Sequence, residues 1–176
     1  PVMITLPIGK ENGFEGVLDL LHMRACYFEE ESNGHRIIDK EIPEGLKAQA
    51  QTYRDQLVEE VASHDDQLMS RYLEGSQVAP EELIAATRRA TLAAKVTPVL
   101  CGAAFKNKGV QPLLDAIVHF LPSPLDRGSV KGPFSALAFK IANDSFVGTL
   151  TYLRVYYGSL EAGDHAYNSS KKKKEK

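Results

Sequence analysis

Residues Pro98–Leu121, "PVLCGAAFKNKGVQPLLDAIVHFL", give the clearest fold signal in this chain. A short apolar run stops at Gly102, a polar segment follows, and apolar residues then recur at helical spacing from Val110 onward. The sequence "PSP" at Pro122–Pro124 ends this helical pattern. The order strand, loop, helix predicts an α/β unit.

The pair Asn107–Lys108 invites comparison with the Asn-Lys-x-Asp motif of GTP-binding proteins. In that motif the aspartate accepts hydrogen bonds from the nitrogens of guanine. Here the fourth position is Val110, whose side chain accepts no hydrogen bond, so the base would be left with unpaired donors. We therefore predict that the pair only leads into the helix.

The first forty residues have the alternation of β-strands. Val2, Ile4 and Leu6 share one face of a predicted strand that Gly9 ends. A second β-rich block covers "FEGVLDLLHMRACYFEE", and Asn33–Gly34 then supplies the positive φ angles of a hairpin turn.

Helical patterns follow from Pro43. Apolar residues recur at spacings of three and four at Leu46, Ala50, Tyr53, Leu57 and Val61. Plotted at about 100° per residue, Asp55, Glu59 and Asp66 fall close together, which predicts an acidic stripe on that helix. A further helix is predicted to begin at Pro80 and to run through Thr91.

The last part of the chain changes character after a linker predicted at Asp126–Pro133. Two strands, "FSALAFKI" and "FVGTLTYLRVYYG", are predicted to be joined by a turn at "ANDS", and "HAYN" begins a third strand. These strands predict the start of a β-barrel or sandwich. We expect the tail "KKKKEK" at Lys171–Lys176 to be a solvated end.

Composition bounds the class of protein. The chain has 176 residues, 43% hydrophobic and 25% charged, with a formal net charge of −2. A chain of this length buries about 70% of its extended-chain surface when it folds as one unit. It contains no apolar run of membrane-spanning length and no signal sequence, so we expect a cytoplasmic protein. We expect Cys26 and Cys101 to be buried thiols and not a disulfide.

The motifs of several enzyme classes are missing from the sequence. The Gly-Lys pair at Gly9–Lys10 continues with Glu11, so no phosphate-binding loop is formed. The histidines show no metal-ligand spacing, and no Gly-x-Ser-x-Gly nucleophile motif occurs. We therefore predict that the chain alone has no catalytic residues, no metal site and no cofactor, and that its acidic helix face is a contact surface.

The stretch "PVLCGAAFKNKGVQPLLDAIVHFLPSPLD" closely resembles elongation factor G, the translocation GTPase of the ribosome. The stretches "LPIGKENGFEGVLDLLHMRA", "LMSRYLEG" and "ALAFKI…D…FVGTLTYLRVYYGSL…G" resemble the same family in the same order. The resemblance covers essentially the whole chain and implies an internal fragment of α+β class. It implies that residues 1–96 are an insert in a P-loop GTPase domain and that 97–124 are the last strand and helix of that domain. Residues 125–131 would be a linker, and 132–176 the first strands of a β-barrel domain.

The resemblance also implies roles for individual residues. The family's last guanine-contacting loop is Gly-Ser-Ala, here Gly102–Ala103–Ala104, so the backbone N–H of Ala104 would donate to the carbonyl oxygen of the base. Ala103 replaces the serine and removes one hydrogen bond, worth about 1 kcal/mol.

The insert's long helix in this family contacts the stalk protein of the large ribosomal subunit. Glu59 and Asp66 match acidic positions of the family, so together with Asp55 of the acidic stripe they are predicted to form a partner surface. Ser63 stands where a third acid is common in the family. Two further departures are a linker shorter than usual and the ending "KKKKEK" in place of a lysine-glycine-lysine pattern.

For the parent protein the resemblance implies GTP and Mg²⁺ as ligands and the ribosome as partner, with ribosomal RNA contacted by the barrel domain and no membrane. The compartment would be the cytoplasm, or an organelle for an organellar homologue. Two alternatives stay open: an autonomous protein-binding module, and a piece of a related translational GTPase such as a ribosomal protection protein or a release factor.

Overall fold

The computed structural model describes residues 1–127 and 131–175. Within these ranges the chain has four α-helices and several sheets, so the mixed α+β class expected from the sequence is confirmed. The chain divides into two units, Pro1–Leu121 and Pro122–Lys176. Residues 128–130 of the predicted linker lie outside the described residues.

The first unit is built on two sheets. Its strands are β1 (Val2–Met3), β2 (Thr5–Ile8), β3 (Gly16–Asp19), β4 (Arg24–Phe28), β5 (Ile37–Lys40) and β6 (Pro98–Val99). Strands β2 to β5 form an antiparallel sheet in chain order, and β1 pairs with β6 in a separate parallel sheet. The single strand expected over Val2–Leu6 is therefore two strands in two sheets, because Ile4 bonds to Val99 through its N–H and to Leu20 through its carbonyl.

The β-rich block predicted after Gly13 is a hairpin of β3 and β4. The Asp19 carboxylate fixes its turn by accepting the backbone N–H groups of Leu21 at 2.9 Å and His22 at 3.2 Å. The turn predicted at Asn33–Gly34 has φ angles of 51° and 77°, as expected. It belongs to an eight-residue connection between β4 and β5, which we call the β4–β5 loop (residues 29–36).

The helices of the first unit are α1 (Glu44–Ala62), α2 (Asp66–Leu73), α3 (Pro80–Leu92) and α4 (Val110–Phe120). The start of α3 at Pro80 and of α4 at Val110 confirms the sequence prediction. On α1 the predicted apolar face is also confirmed, since Ala50, Leu57 and Val61 are buried and Leu46 and Tyr53 pack against them.

One hydrophobic core joins both sheets to all four helices. Its largest fully buried side chains include Leu18 and Leu20 from the β3 region, Leu57 from α1, Leu83 from α3 and Phe120 from α4. Burying a side chain of this size contributes roughly 2 kcal/mol relative to leaving it exposed. This core holds β1 and α4 to the rest of the unit, and β6 is joined to it by pairing with β1.

Helix α4 buries only part of its apolar surface within this unit. Ala116 and Phe120 are buried, whereas Leu114 and Val118 are 55% and 75% exposed. The sequence periodicity identified the helix correctly, but Leu113 and Ile117 are also 47% and 44% exposed, so much of its apolar surface remains accessible.

The second unit contains β7 (Ser135–Asp144) and β8 (Gly148–Tyr157), an antiparallel hairpin. The turn predicted at Ala142–Ser145 is wrong, because β7 continues through Asp144. The Asp144 carboxylate accepts the N–H groups of Phe146 and Val147 and so fixes a later turn.

Strands β9 (Ala166–Asn168) and β10 (Lys173–Glu175) form a second antiparallel pair. Within the lysine-rich tail, Lys171 and Lys172 belong to the turn and Lys173–Glu175 form the strand, with Asn168 donating to the Glu175 carboxylate at 2.9 Å. Lys176 lies outside the described residues.

Candidate functional site

The segment Gly102–Gly109 lies between β6 and α4 and contains the predicted guanine-contacting residues. Ala103 and Lys108 form a backbone bridge, with Ala103 N–H donating to Lys108 O at 2.8 Å and Lys108 N–H donating to Ala103 O at 3.2 Å. Ala104–Lys106 form one 3-10 turn inside this bridge. We call this closed segment the 102–109 loop.

Two glycines allow the 102–109 loop to close. A Cβ atom on Gly102 would lie 2.8 Å from the carbonyl oxygen of Lys108, and one on Gly109 would lie 2.9 Å from that of Cys101. Gly109 also has φ +85°, which residues with a side chain adopt at a cost. The loop geometry therefore requires glycine at both positions.

The tip of the loop faces solvent. Ala104 is exposed, and Phe105 is fully exposed at 109%. The N–H groups of Ala103, Lys106, Asn107 and Lys108 all donate to carbonyls within the loop. Over the described ranges no such acceptor is found for the N–H groups of Gly102, Ala104, Phe105 and Gly109. Of these, the N–H groups of Ala104 and Phe105 lie at the exposed tip of the loop.

The pair Asn107–Lys108 precedes α4, as predicted, and the side chain of Lys108 is also buried and hydrogen-bonded. Its side chain is only 10% exposed, and its ammonium group donates to the Phe14 carbonyl at 3.3 Å and the Glu30 carboxylate at 3.1 Å. Asn107 takes the left-handed conformation at φ +52°. Sequence reasoning missed this buried cation, because both acceptors are far away along the chain.

The β4–β5 loop lies against the 102–109 loop and the first turn of α4. Gln111 Nε2 donates to the carbonyls of Gly34 at 2.8 Å and His35 at 3.3 Å. A Cβ atom on Gly34 would lie 2.7 Å from the Asn107 carbonyl oxygen. A cleft of about 210 Å³ between the two loops is lined by Glu29, Glu30, Asn33, Gly34 and by Phe105 to Lys108. Gln111 is a second site residue that the sequence did not single out.

The acidic residues predicted as one stripe lie on two helices. Asp55 and Glu59 are exposed on α1, one helical turn apart. Helix α1 ends at Ala62, and Asp66 is the first residue of α2. The expectation of a single helical stripe is wrong, because the Asp65 side chain caps a new helix by accepting Leu68 N–H at 3.1 Å. All three acids remain exposed.

Both cysteines are free, as expected, with Cys26 buried and Cys101 partly buried. Burial raises the pKa of the Cys26 thiol to about 12, helped by a hydrogen bond with Asp39 and by the nearby charge of Asp19. Burial also raises the pKa of Cys101, against a smaller lowering by its hydrogen bond with the Thr5 hydroxyl. Neither thiol has the lowered pKa of a reactive nucleophile.

Among residues 1–127 and 131–175 there is no group of three or more His, Cys, Asp or Glu side chains arranged to hold a metal ion. None of the helices described in these ranges has both the length and the apolar character needed to cross a membrane.

The fold of this chain is similar to that of one part of a known protein. No family model matches the chain. The crystal structure of a protein from Thermus thermophilus superposes with a TM-score of 0.74 at 31% sequence identity. The match covers 96% of this chain and 25% of the Thermus chain, so this chain spans about a quarter of the length of that protein. This chain therefore shares the fold of one part of a much longer protein.

Proposed function

We propose that this chain is part of a translational GTPase of the elongation factor G family, which drives movement of tRNA and mRNA on the ribosome. Residues 1–96 would be the insert of its GTPase domain, 97–124 the last strand and helix of that domain, and 132–176 the first strands of a β-barrel. GTP and Mg²⁺ would bind mainly to the longer protein, and this chain would contribute the last guanine contact.

The observation that carries this proposal is the exposed N–H of Ala104 on the 102–109 loop. The loop leaves the carboxyl end of β6, and in open α/β sheets ligands bind outside the carboxyl ends of the parallel strands. A backbone N–H held by two obligatory glycines donates in a fixed direction, which suits a carbonyl acceptor such as that of guanine. Ala103 in place of serine leaves this donor unchanged, because the contact uses the backbone.

The exposed apolar residues of α4 support the same proposal. Parallel sheets are normally covered on both faces, whereas β1 and β6 form a pair of only two residues each. Val118 and Leu114 would be covered by the remaining strands and helices of the GTPase domain. The likeness to one quarter of a longer protein agrees with this arrangement.

Nucleotide binding by the longer protein tests the proposal. We expect it to bind a fluorescent GDP analogue that GTP displaces and ATP does not. Absence of binding, or equal displacement by ATP, would contradict the proposed function. The present chain alone should show no GTP binding by calorimetry, because it contains no phosphate-binding loop. Tight, Mg²⁺-dependent binding by the chain alone would contradict this division of roles.

A partner-binding role is a second candidate, favoured by the exposure of Asp55 and Glu59 on α1 and of Asp66 at the start of α2. In the elongation factor this surface would bind the ribosomal stalk protein. In an autonomous binding module it would act without the rest of a GTPase. Measuring the affinity of the same partner for this chain and for the longer protein, with and without GTP, separates the two.

A further inference from the structure

Three contacts join the β4–β5 loop to the segment that follows Gly102. The first is the Gln111 amide group on the carbonyls of Gly34 and His35. The second is the close approach of Gly34 to Asn107, and the third is the ammonium group of Lys108 between Phe14 and Glu30. All three lie within the first unit.

We propose that the β4–β5 loop positions the Ala104 N–H, with Gln111 and Lys108 as positioning residues, and so sets the affinity for the guanine base. This inference rests on the function proposed above. It adds that a loop of the inserted sheet, and not only the GTPase domain itself, determines how well the base is held.

The strengths of these contacts identify Gln111 as the residue that holds the β4–β5 loop most firmly to α4. The ion pair of Lys108 with Glu30 is weak, because Glu30 is 84% exposed and exposed ion pairs contribute at most about 1 kcal/mol. Gln111 Nε2 instead bonds to the carbonyl of Gly34, a residue that is itself buried. An unpaired buried carbonyl is costly, so this bond is not readily exchanged for water.

The orientation of the Gln111 amide is set by its surroundings. Its nitrogen faces two carbonyl oxygens, which accept and cannot donate. Its Oε1 atom is buried and has no hydrogen-bond partner among the described residues. Replacing Gln111 by methionine removes its hydrogen bonds to Gly34 and His35 and also removes the unsatisfied Oε1 atom. Because the second change offsets part of the cost of the first, we expect the variant to fold.

Backbone contacts within the 102–109 loop connect the hydrogen bonds of Gln111 to the position of Ala104. Gln111 lies two residues after Gly109, where an added Cβ atom would lie 2.9 Å from the Cα of Gly102. Lys108 pairs with Ala103 through two backbone hydrogen bonds, and Ala104 follows directly. A shift of the β4–β5 loop is thus transmitted to the donor through a closed ring of backbone contacts.

The test uses the longer protein and two nucleotides that differ at one position. GDP has a carbonyl at position 6 of the base, and 2-aminopurine riboside diphosphate has none. We expect Gln111→Met to raise the dissociation constant of GDP about five-fold, the size of one lost hydrogen bond. The dissociation constant of the 2-aminopurine nucleotide should stay the same, because it has no acceptor for Ala104.

Two further variants complete the experiment. Ser32→Ala removes the hydroxyl that donates to the Glu29 carbonyl and accepts from the Arg36 N–H inside the β4–β5 loop. This substitution changes the loop and leaves the residues of α4 as they are. It should raise the dissociation constant of GDP about two-fold. Glu31→Gln is the matched control in the same loop: Glu31 is exposed, so this variant should leave the dissociation constants of both nucleotides unchanged.

The outcomes separate the two proposals. The positioning role would be overturned if Gln111→Met raised the dissociation constants of both nucleotides equally. It would also be overturned if neither Gln111→Met nor Ser32→Ala raised the dissociation constant of GDP. In both cases guanine binding by the unmodified protein would still support the proposed function. If the unmodified protein does not prefer GDP to ADP, the proposed function fails and the positioning role fails with it.

Discussion

The carboxylate of Asp65 connects two helices: it caps the N-terminus of α2 through Leu68 N–H and accepts hydrogen bonds from the Arg89 guanidinium of α3. The Asp65 side chain is 9% exposed, whereas that of Arg89 is 60% exposed. Burial by itself would raise the pKa of Asp65, but the Arg89 hydrogen bonds and the backbone N–H of Leu68 outweigh it, and the pKa is lowered.

The lowered pKa of Asp65 makes stability depend on pH in a defined direction. The unfolded chain binds a proton at about pH 3.9, and the folded chain only at lower pH. The stabilisation is therefore complete above about pH 5 and is lost as the pH falls through the folded pKa. We expect Asp65→Asn, which keeps the cap acceptor, to reduce the free energy of unfolding at pH 7 and to lose less stability than the unmodified chain on acidification.

Urea unfolding at pH 7 and pH 3 measures this effect. Asp65→Ala removes the cap as well and should cost about 1 kcal/mol more than Asp65→Asn. An identical pH dependence in the unmodified chain and Asp65→Asn would show that the carboxylate charge does not contribute.

Arg54 is a buried cation that bonds only to backbone carbonyls in the described structure, those of Leu20, Leu21 and Val78. Burial lowers its pKa, and the nearby Asp19 and Asp55 partly offset this. We expect Arg54→Met to cost about 3 kcal/mol or more, because it leaves three carbonyls without their donor.

The control for Arg54 is Gln56→Ala, two residues later on α1 at an exposed position. It should change the free energy of unfolding by less than about 0.5 kcal/mol. A similar, small effect of both substitutions in urea unfolding would contradict the role assigned to the guanidinium.

The Cys26 thiol should be unreactive in the folded chain. Because its pKa is about 12, a Cys101→Ala variant should react with Ellman's reagent at pH 8 about a thousand-fold more slowly when folded than in urea. Rapid reaction of the folded variant would show that Cys26 is neither buried nor protonated. The same shift predicts a loss of stability as the pH rises above about 8.5, where the unfolded thiol ionises first.

Charge reversal tests the partner surface. In the proposed elongation factor, Glu59→Lys with Asp66→Lys should weaken binding of the ribosomal stalk protein about ten-fold or more, since like charges would then face the partner's basic groups. The double variant Glu15→Lys with Glu31→Lys changes the net charge equally at exposed positions outside α1 and α2 and should leave binding unchanged. Because Glu59 and Asp66 lie on different helices, the single variants show which helix makes the contact. Unchanged affinity in the double variant would contradict this surface.

Local sequence predicted the starts of α3 and α4, the apolar face of α1 and the positive φ angles of Asn33 and Gly34. Each depends on nearest neighbours: a proline in the first turn, a repeat of three to four residues, and a residue pair that tolerates left-handed backbone. The acidic stripe failed because the spacing from Glu59 to Asp66 fits a helix, while the cap at Asp65 between them starts a new one.

Sequence by itself determined that Gly102–Gly109 is a polar connection between a short strand and a helix, since glycines and polar residues interrupt the apolar pattern there. Only the tertiary structure decided that Lys108 is buried and that Gln111 holds the β4–β5 loop. The partners of Lys108 are 94 and 78 residues away in sequence, and those of Gln111 are 77 and 76 residues away. No local pattern encodes such pairs, because the burial of a polar side chain depends on which distant carbonyls the folded core brings to it.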